Sequence, residues 1–167
     1  MTDKNTLTQR YLTVLNDELG WDAVAEEDGD VRFTLEVGPV AWLSNYAPAD
    51  PEYLQLITGL PLTKLLTGLG VDFDPSRPAD LQRLLTVTSA VTRSVKGAQV
   101  SADPIRDAIE VSVEVVAAEH GRMPSVDHLA AILPRMRSML VAGLRTLREE
   151  LTELAAPGES VPDAAAS

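Results

Sequence analysis

Cysteine is absent from this chain of 167 residues, and only two histidines are present. The absence of cysteine excludes a disulfide-stabilised scaffold, a thiolate metal site and a cysteine nucleophile. Basic residues are also few, with 14 Lys and Arg against 25 Asp and Glu, so the formal net charge is −11. This charge argues against a nucleic-acid partner, because contact with phosphates needs clustered Lys and Arg.

Long hydrophobic runs are missing as well. The longest apolar stretches, such as residues 139–144, are far shorter than the ~20 residues that span a bilayer. The first six residues are polar and do not have the pattern of a secretory signal peptide. We therefore expect no membrane association and a cytoplasmic location.

The length predicts one domain, because a chain of this size can bury roughly 70 % of its unfolded surface. We assign residues 1–155 to a single α+β domain. Residues 156–167 combine Pro157, Gly158 and Pro162 with several alanines and have no periodicity, which predicts a disordered C-terminal tail.

The first half of the domain predicts one helix followed by three strands. Apolar residues recur at helical spacing up to Leu19, and Gly20 follows as a helix C-terminus prefers. Period-two patterns then predict strands, with Asp28-Gly29-Asp30 as a hairpin turn. The three predicted strands are 22–27, 31–37 and 40–46.

Residues 50–78 are the hardest part of the chain to assign. Asp50-Pro51 has the pattern of a helix start, and Gly59 lies where such a short helix would end. Residues 61–68 predict another turn or two of helix, and the Gly- and Pro-rich stretch 68–78 predicts irregular structure. We treat the whole segment as an insertion.

The second half predicts a helix, two strands and a long final helix. Ser125 is a plausible N-cap of that last helix, and Pro134 within its pattern should kink or restart it. The four predicted elements are 81–95, 98–102, 109–115 and 126–154.

The predicted order is therefore α-β-β-β-α-β-β-α, which resembles the type III secretion chaperone-like fold and, more narrowly, the YbjN-like families. The resemblance covers about residues 5–155 and is carried by the opening helix 7–19, the acidic hairpin 26–33 and the block 81–116. The segment 51–77 is longer than the family pattern, and the second hairpin has Asp103-Pro104-Ile105-Arg106-Asp107 where an acidic-Gly turn is common.

The resemblance implies an antiparallel sheet with helices packed on one face. It also implies a cytoplasmic homodimer that binds protein segments on an outer sheet or helix surface, without catalysis and without a cofactor.

The candidate metal-binding and catalytic residues of the sequence also argue against an active site. His120 and His128 lack the three or four ligands that a metal site needs, so we expect two surface histidines and no metal. Ser125, Asp127 and His128 are crowded at one helix start, without the strand and glycine elbow of a catalytic triad.

Two pairs of aspartates also lack the surroundings of a functional motif. Asp72-Phe73-Asp74 is flanked by glycines and Pro75, which predicts a solvated loop and not a phosphatase motif. Asp28-Gly29-Asp30 lacks the remaining ligands of a calcium loop, and no glycine-rich phosphate motif is present. The sequence therefore predicts no catalytic residues.

Two surfaces are candidates for partner binding. The first is the exposed sheet face with Trp42 and Tyr46, whose rings are either core residues or anchors for a partner segment. The second is the acidic hairpin. Residues 17–36 hold eight acidic side chains against Arg32 alone, and Glu26, Glu27, Asp28 and Asp30 are the ones expected to meet a basic partner.

The apolar stripe of the last helix either packs on the sheet or also forms a homodimer interface. The dimer residues would be Leu140, Leu144, Leu147 and Leu151. Arginines on the same helix give it a positive face within an acidic chain: Arg135, Arg137, Arg145 and Arg148.

These observations predict a non-enzymatic chaperone-like or adaptor protein that binds polypeptide segments as a homodimer. The alternative is a small-molecule-sensing domain with a pocket near residues 50–78, which would need convergent polar groups.

Overall fold

The computed structural model describes residues 4–45 and 49–155. Its helices are α1 (Lys4–Leu12), α2 (Leu62–Gly68), α3 (Pro78–Ser94) and α4 (Val126–Ala155), with a π-helical turn at Thr13–Glu18. Its strands are β1 (Val24–Ala25), β2 (Val31–Thr34), β3 (Val40–Ser44), β4 (Tyr53–Pro61), β5 (Ala98–Asp103) and β6 (Ala108–Val116). The predicted tail at 156–167 and Tyr46 lie outside the described residues.

The six strands form one antiparallel sheet in the order β1-β2-β3-β4-β6-β5. Alternate residues of each long strand are buried, as in Leu54, Leu56 and Thr58 of β4. The buried side chains of the sheet and those of the helices form one hydrophobic core. The α+β class and the antiparallel sheet with its helices on one face are therefore confirmed.

Strand β4 corrects the prediction for residues 50–59. Asp50-Pro51 does not begin a helix, because it precedes a nine-residue strand. Gly59 does not end a helix, because it lies within that strand. This strand pairs with β3 on one side and along its whole length with β6 on the other. The first part of the predicted insertion is thus a central strand, and only α2 and the irregular stretch after it match the expectation.

The first helix and the hairpin match the sequence closely. The helical segment ends before Gly20, whose φ of +66° is the left-handed conformation that glycine adopts without strain. Gly29 has a φ of +87° in the turn between β1 and β2. The predicted strand at 22–27 is shorter than expected and comprises Val24–Ala25.

Helix α4 packs against β4, β5 and β6 and contributes side chains to the hydrophobic core. Ser125 is its N-cap, since its Oγ accepts a hydrogen bond from the backbone N–H of His128 at 3.2 Å. The helix continues through Pro134 as one element, so the predicted restart does not occur. At Gly143 the helix approaches the sheet so closely that a Cβ would lie 2.9 Å from Cγ1 of Val111.

Within the described residues, no helix is both long enough and apolar enough to cross a membrane.

Candidate binding groove

A groove of about 650 Å³ lies between α2 and the second half of α4. Its wall is mostly apolar and includes residues from the turn between β2 and β3, from the end of β4 and from both helices. The apolar lining residues are Val37, Pro39, Leu60, Pro61, Leu65, Leu69, Leu144 and Leu147. This volume is within the range of roughly 300–1,000 Å³ that is typical of ligand pockets.

Helix α2 is positioned by the turn between β5 and β6. Its first N–H, that of Leu62, donates to the backbone carbonyl of Asp107 at 3.0 Å. The N–H of Thr63 donates to Oδ1 of the same aspartate at 2.7 Å. These hydrogen bonds satisfy two donors that a helix start leaves open, and the Thr63 contacts hold the pKa of Asp107 below its usual value.

The periodicity of α2 decides which side chains reach the groove. Leu62 and Leu66 are buried in the core, at 1 % and 2 % exposure. The opposite side of this short helix therefore leaves Lys64, Leu65 and Gly68 at the groove. On the facing helix, Leu144 and Leu147 form apolar wall, while Arg145 is exposed beside them.

The charge of the groove is the reverse of that of the chain. Lys64, Arg145 and Arg148 line it, and no carboxylate does among the described residues. None of the three cations has a carboxylate within ion-pair distance in residues 4–45 and 49–155, whereas six other arginines do. An apolar wall with unpaired cations suits an apolar ligand that also carries negative charge.

The four leucines predicted at a dimer interface lie in the core of the single chain. Leu140 and Leu151 are fully buried, Leu147 is 1 % exposed and Leu144 is 9 % exposed. The stripe therefore packs on the sheet, which was the simpler of the two expectations. These side chains expose little surface to a second copy of the chain, and a dimer interface through them stays a prediction.

Trp42 lies on the sheet face that points away from the helices. Its neighbours Ala41 and Leu43 are fully buried, whereas Trp42 itself is partly exposed. Strand pairing places it between Arg32 and Ile57. The ring is thus available at the surface, and its role in partner binding stays a prediction.

Some carboxylates of the acidic hairpin already have partners within the chain. Glu26 forms an ion pair with Arg32. Oδ1 of Asp28 accepts a hydrogen bond from the N–H of Asp30, and Oδ1 of Asp30 accepts one from the N–H of Asn45 at 2.7 Å. Glu27 is exposed on the same turn. Neutralising all four carboxylates would therefore disturb the hairpin as well as any partner contact.

One group of described side chains has the geometry to hold a metal ion. Ligand atoms of Asp50, Glu52 and His120 lie within 4.8 Å of one another. Nδ1 of His120 is 2.7 Å from Oε1 of Glu52, a residue 68 positions earlier in the chain. His128, by contrast, is an exposed residue in the first turn of α4.

The sequence indicates only one side of the groove. It predicts the positive face and the apolar stripe of α4, but it does not link them to the residues of α2. Asp107, which fixes α2, lies 44 residues away from Thr63. Only the folded chain shows that these segments meet.

Comparison with solved structures supports the assignment of the fold. The chain superposes on a chain of "Structure of the HopA1-SchA Chaperone-Effector Complex" with a TM-score of 0.53 at 18 % identity, covering 89 % of this chain and 99 % of that one. It also superposes on "Crystal structure of YbjN, a putative transcription regulator from E. coli" with a TM-score of 0.52 at 11 % identity, covering 91 % and 90 %. The chain has the type III secretion chaperone-like fold.

At sequence identities of 18 % and 11 %, this likeness shows the fold alone. No family model matches the chain, and no curated protein matches its sequence. The chaperone-like fold confirms the resemblance that the element order predicted, including its narrower likeness to YbjN.

Proposed function

We propose that this protein is a non-enzymatic chaperone-like or adaptor protein that binds a polypeptide segment in the groove between α2 and α4. The observation that carries the proposal is the combination of an apolar wall with three cations, Lys64, Arg145 and Arg148, that have no ion-pair partner among the described residues. The fold supports it, since one structural neighbour comes from a chaperone–effector complex.

The chemistry of the groove favours a segment with apolar and acidic side chains. Leucines on both sides offer apolar surface, and burial of such surface is the main source of affinity in protein association. The cations at the groove would pair with carboxylates of the segment and select against basic segments. The part of the lining that the structure describes offers no carboxylate, histidine or hydroxyl side chain for acid–base chemistry, which is why we propose binding and not catalysis.

The resemblance extends the proposal to a homodimer that acts in the cytoplasm. The exposed sheet face around Trp42 and the hairpin residue Glu27 remain as further surfaces for a partner or for a second copy. Light scattering at micromolar concentration would test the dimer.

A peptide-binding measurement tests the groove directly. Two labelled helical peptides of about 18 residues, five turns long, would share one leucine stripe and differ only in acidic or basic polar residues. Fluorescence anisotropy should show binding of the acidic peptide and a loss of about tenfold or more in affinity for Arg148→Glu, which corresponds to about 1.4 kcal/mol.

Arg135→Glu is the matched control, because Arg135 is an exposed arginine of the same helix that does not line the groove. It should bind the acidic peptide like the parent chain. Equal binding of the basic peptide, or equal effects of Arg135→Glu and Arg148→Glu, would contradict the proposal.

The second candidate function is small-molecule sensing. The groove includes Lys64, Leu65 and Gly68 from the 50–78 segment, where a pocket was expected, and its volume suits a ligand. An amphiphilic carboxylate would fit the same apolar wall and cations. Tight, saturable binding of dodecanoate together with no binding of either peptide would favour this function over the first.

A further inference from the structure

We propose that Asp50, Glu52 and His120 form a binding site for a divalent transition-metal ion of the Zn²⁺ type. The three side chains converge from two separate places, the start of β4 and the turn that follows β6. Their ligand atoms lie within 4.8 Å of one another, close enough to share one ion. This site is separate from the groove and independent of the function proposed for it.

Glu52 is the fixed member of the group. Its side chain is only 8 % exposed. Oε2 accepts a hydrogen bond from the N–H of Gly121 at 3.1 Å, and the backbone carbonyl of Glu52 accepts one from the N–H of Ala117 at 2.8 Å. The carboxylate is therefore oriented by the fold before any ion arrives.

The remaining oxygen of Glu52 faces His120. Nδ1 of this imidazole lies 2.7 Å from Oε1, a separation at which one proton is shared. A metal ion in place of the shared proton would bind both atoms.

The surroundings favour a cation. The cup around these side chains is also lined by Tyr53, Glu114 and Val116, with no Lys or Arg among the described lining residues. Oε2 of Glu114 accepts a hydrogen bond from the hydroxyl of Tyr53 at 2.7 Å. Three carboxylates around one imidazole leave a negative balance that an ion would offset.

The donor set decides the class of ion. One imidazole nitrogen with two carboxylates is a mixed nitrogen and oxygen set, which suits Zn²⁺ and its neighbours among the transition metals. Ca²⁺ and Mg²⁺ prefer oxygen ligands alone and in larger number. With three protein ligands, a tetrahedral ion would keep one position for water.

Isothermal titration of the untagged full chain with Zn²⁺ tests the site. One ion per chain should bind, and both His120→Gln and Asp50→Asn should weaken binding by at least about tenfold. Both side chains are exposed, so neither substitution endangers the fold. His128→Gln is the matched control and should bind like the parent chain.

Cobalt provides a second readout, since Co²⁺ in a site of four ligands absorbs visible light strongly. The band expected for the parent chain should disappear in His120→Gln and persist in His128→Gln. Unchanged affinity in Asp50→Asn, an equal loss in His128→Gln, or displacement of Zn²⁺ by equimolar Mg²⁺ would overturn the proposal.

Discussion

The guanidinium carbon of Arg137 lies 4.7 Å from the centroid of the Trp21 ring, which joins α4 to the segment after α1. The same arginine forms an ion pair with Glu36 at 2.7 Å, and its side chain is only 19 % exposed. The Trp21 ring in turn contacts that of Phe33 at 4.9 Å between centroids. Arg137 is thus a structural residue and not part of the free positive face of α4.

Replacement of Arg137 by alanine should therefore destabilise the fold. The lost cation–π contact and the partly buried ion pair together predict a loss of about 1–2 kcal/mol in the free energy of unfolding. Urea denaturation followed by tryptophan fluorescence measures it. Arg135→Ala, at an exposed position of the same helix, should change the value by less than about 0.5 kcal/mol. Equal effects of the two substitutions would contradict the structural role.

Gly143 lets α4 approach the sheet. A Cβ at this position would lie 2.9 Å from Cγ1 of Val111 and 3.2 Å from Cβ of Ala98. Gly143→Ala should therefore destabilise by about 1 kcal/mol, because overpacking of about 1–3 kcal/mol exceeds the gain in helix propensity of about 1 kcal/mol. Gly68→Ala is the control, since no atom of the described residues, apart from its own chain neighbours and helix backbone, lies within 4 Å of its Cβ position. A melting temperature of Gly143→Ala equal to that of Gly68→Ala would refute the close approach.

The hydroxyl of Tyr11 is buried and has no hydrogen-bond partner among the described residues. Burial, and then the charge of Asp30, raise its pKa far above the usual range. Tyr11→Phe should leave stability unchanged or raise it by up to about 1 kcal/mol, since it removes a buried polar group that forms no bond.

Tyr53→Phe is the matched comparison for that measurement. The hydroxyl of Tyr53 donates to Glu114 at 2.7 Å, so its removal should cost about 1 kcal/mol. The urea midpoint of Tyr53→Phe should fall, whereas that of Tyr11→Phe should stay the same or rise. A larger loss for Tyr11→Phe would show that its hydroxyl has a partner.

The lowered pKa of Asp107 predicts that the stability of the fold depends on pH. Its hydrogen bonds to Thr63 lower its pKa in the folded state, so folding favours the ionised carboxylate. The stabilisation is fully present above its ordinary pKa of 3.8 and is lost as the pH falls through the lower, folded-state value. Asp107→Asn, which tolerates the φ of +52° at this position, removes only the charge.

A comparison of the Asp107→Asn variant with the parent chain isolates this effect. Asp107→Asn should be less stable than the parent chain at about pH 7, and the difference should shrink as the pH falls below 3.8 through the lower, folded-state pKa of the aspartate. Urea denaturation at about pH 7 and at a series of pH values below 3.8 measures it. A difference that stays constant or grows at low pH would contradict the assignment.

Local patterns were sufficient for most of the fold. Alternation predicted β6, and helical spacing predicted α3 and α4 almost to their ends. Strand β4 was missed because Asp50-Pro51 and Gly59 are strong turn and helix signals, while the alternation of Leu54 and Leu56 between them is the signal that decided the structure. Pairing with strands on both sides outweighed the local preference.

The candidate sites were less accessible from sequence, because they depend on contacts between distant segments. Arg148 was identified on α4, yet nothing in the sequence placed Lys64 across the groove from it. Glu52 and His120 are 68 residues apart and meet only because β4 and β6 pair along their whole length. Burial of Leu144 and Leu147 likewise depends on how α4 lies on the sheet.

Binding of an acidic, apolar polypeptide segment in the groove between α2 and α4 can be located residue by residue. Backbone amide NMR spectra of the isotope-labelled chain, recorded during titration with the acidic leucine peptide, provide this test. Shift changes are expected at Leu65, Gly68 and Arg145 and none at Trp42 or Ile57 on the outer sheet face. Changes confined to Trp42 and Ile57, or no changes at saturating peptide, would contradict it.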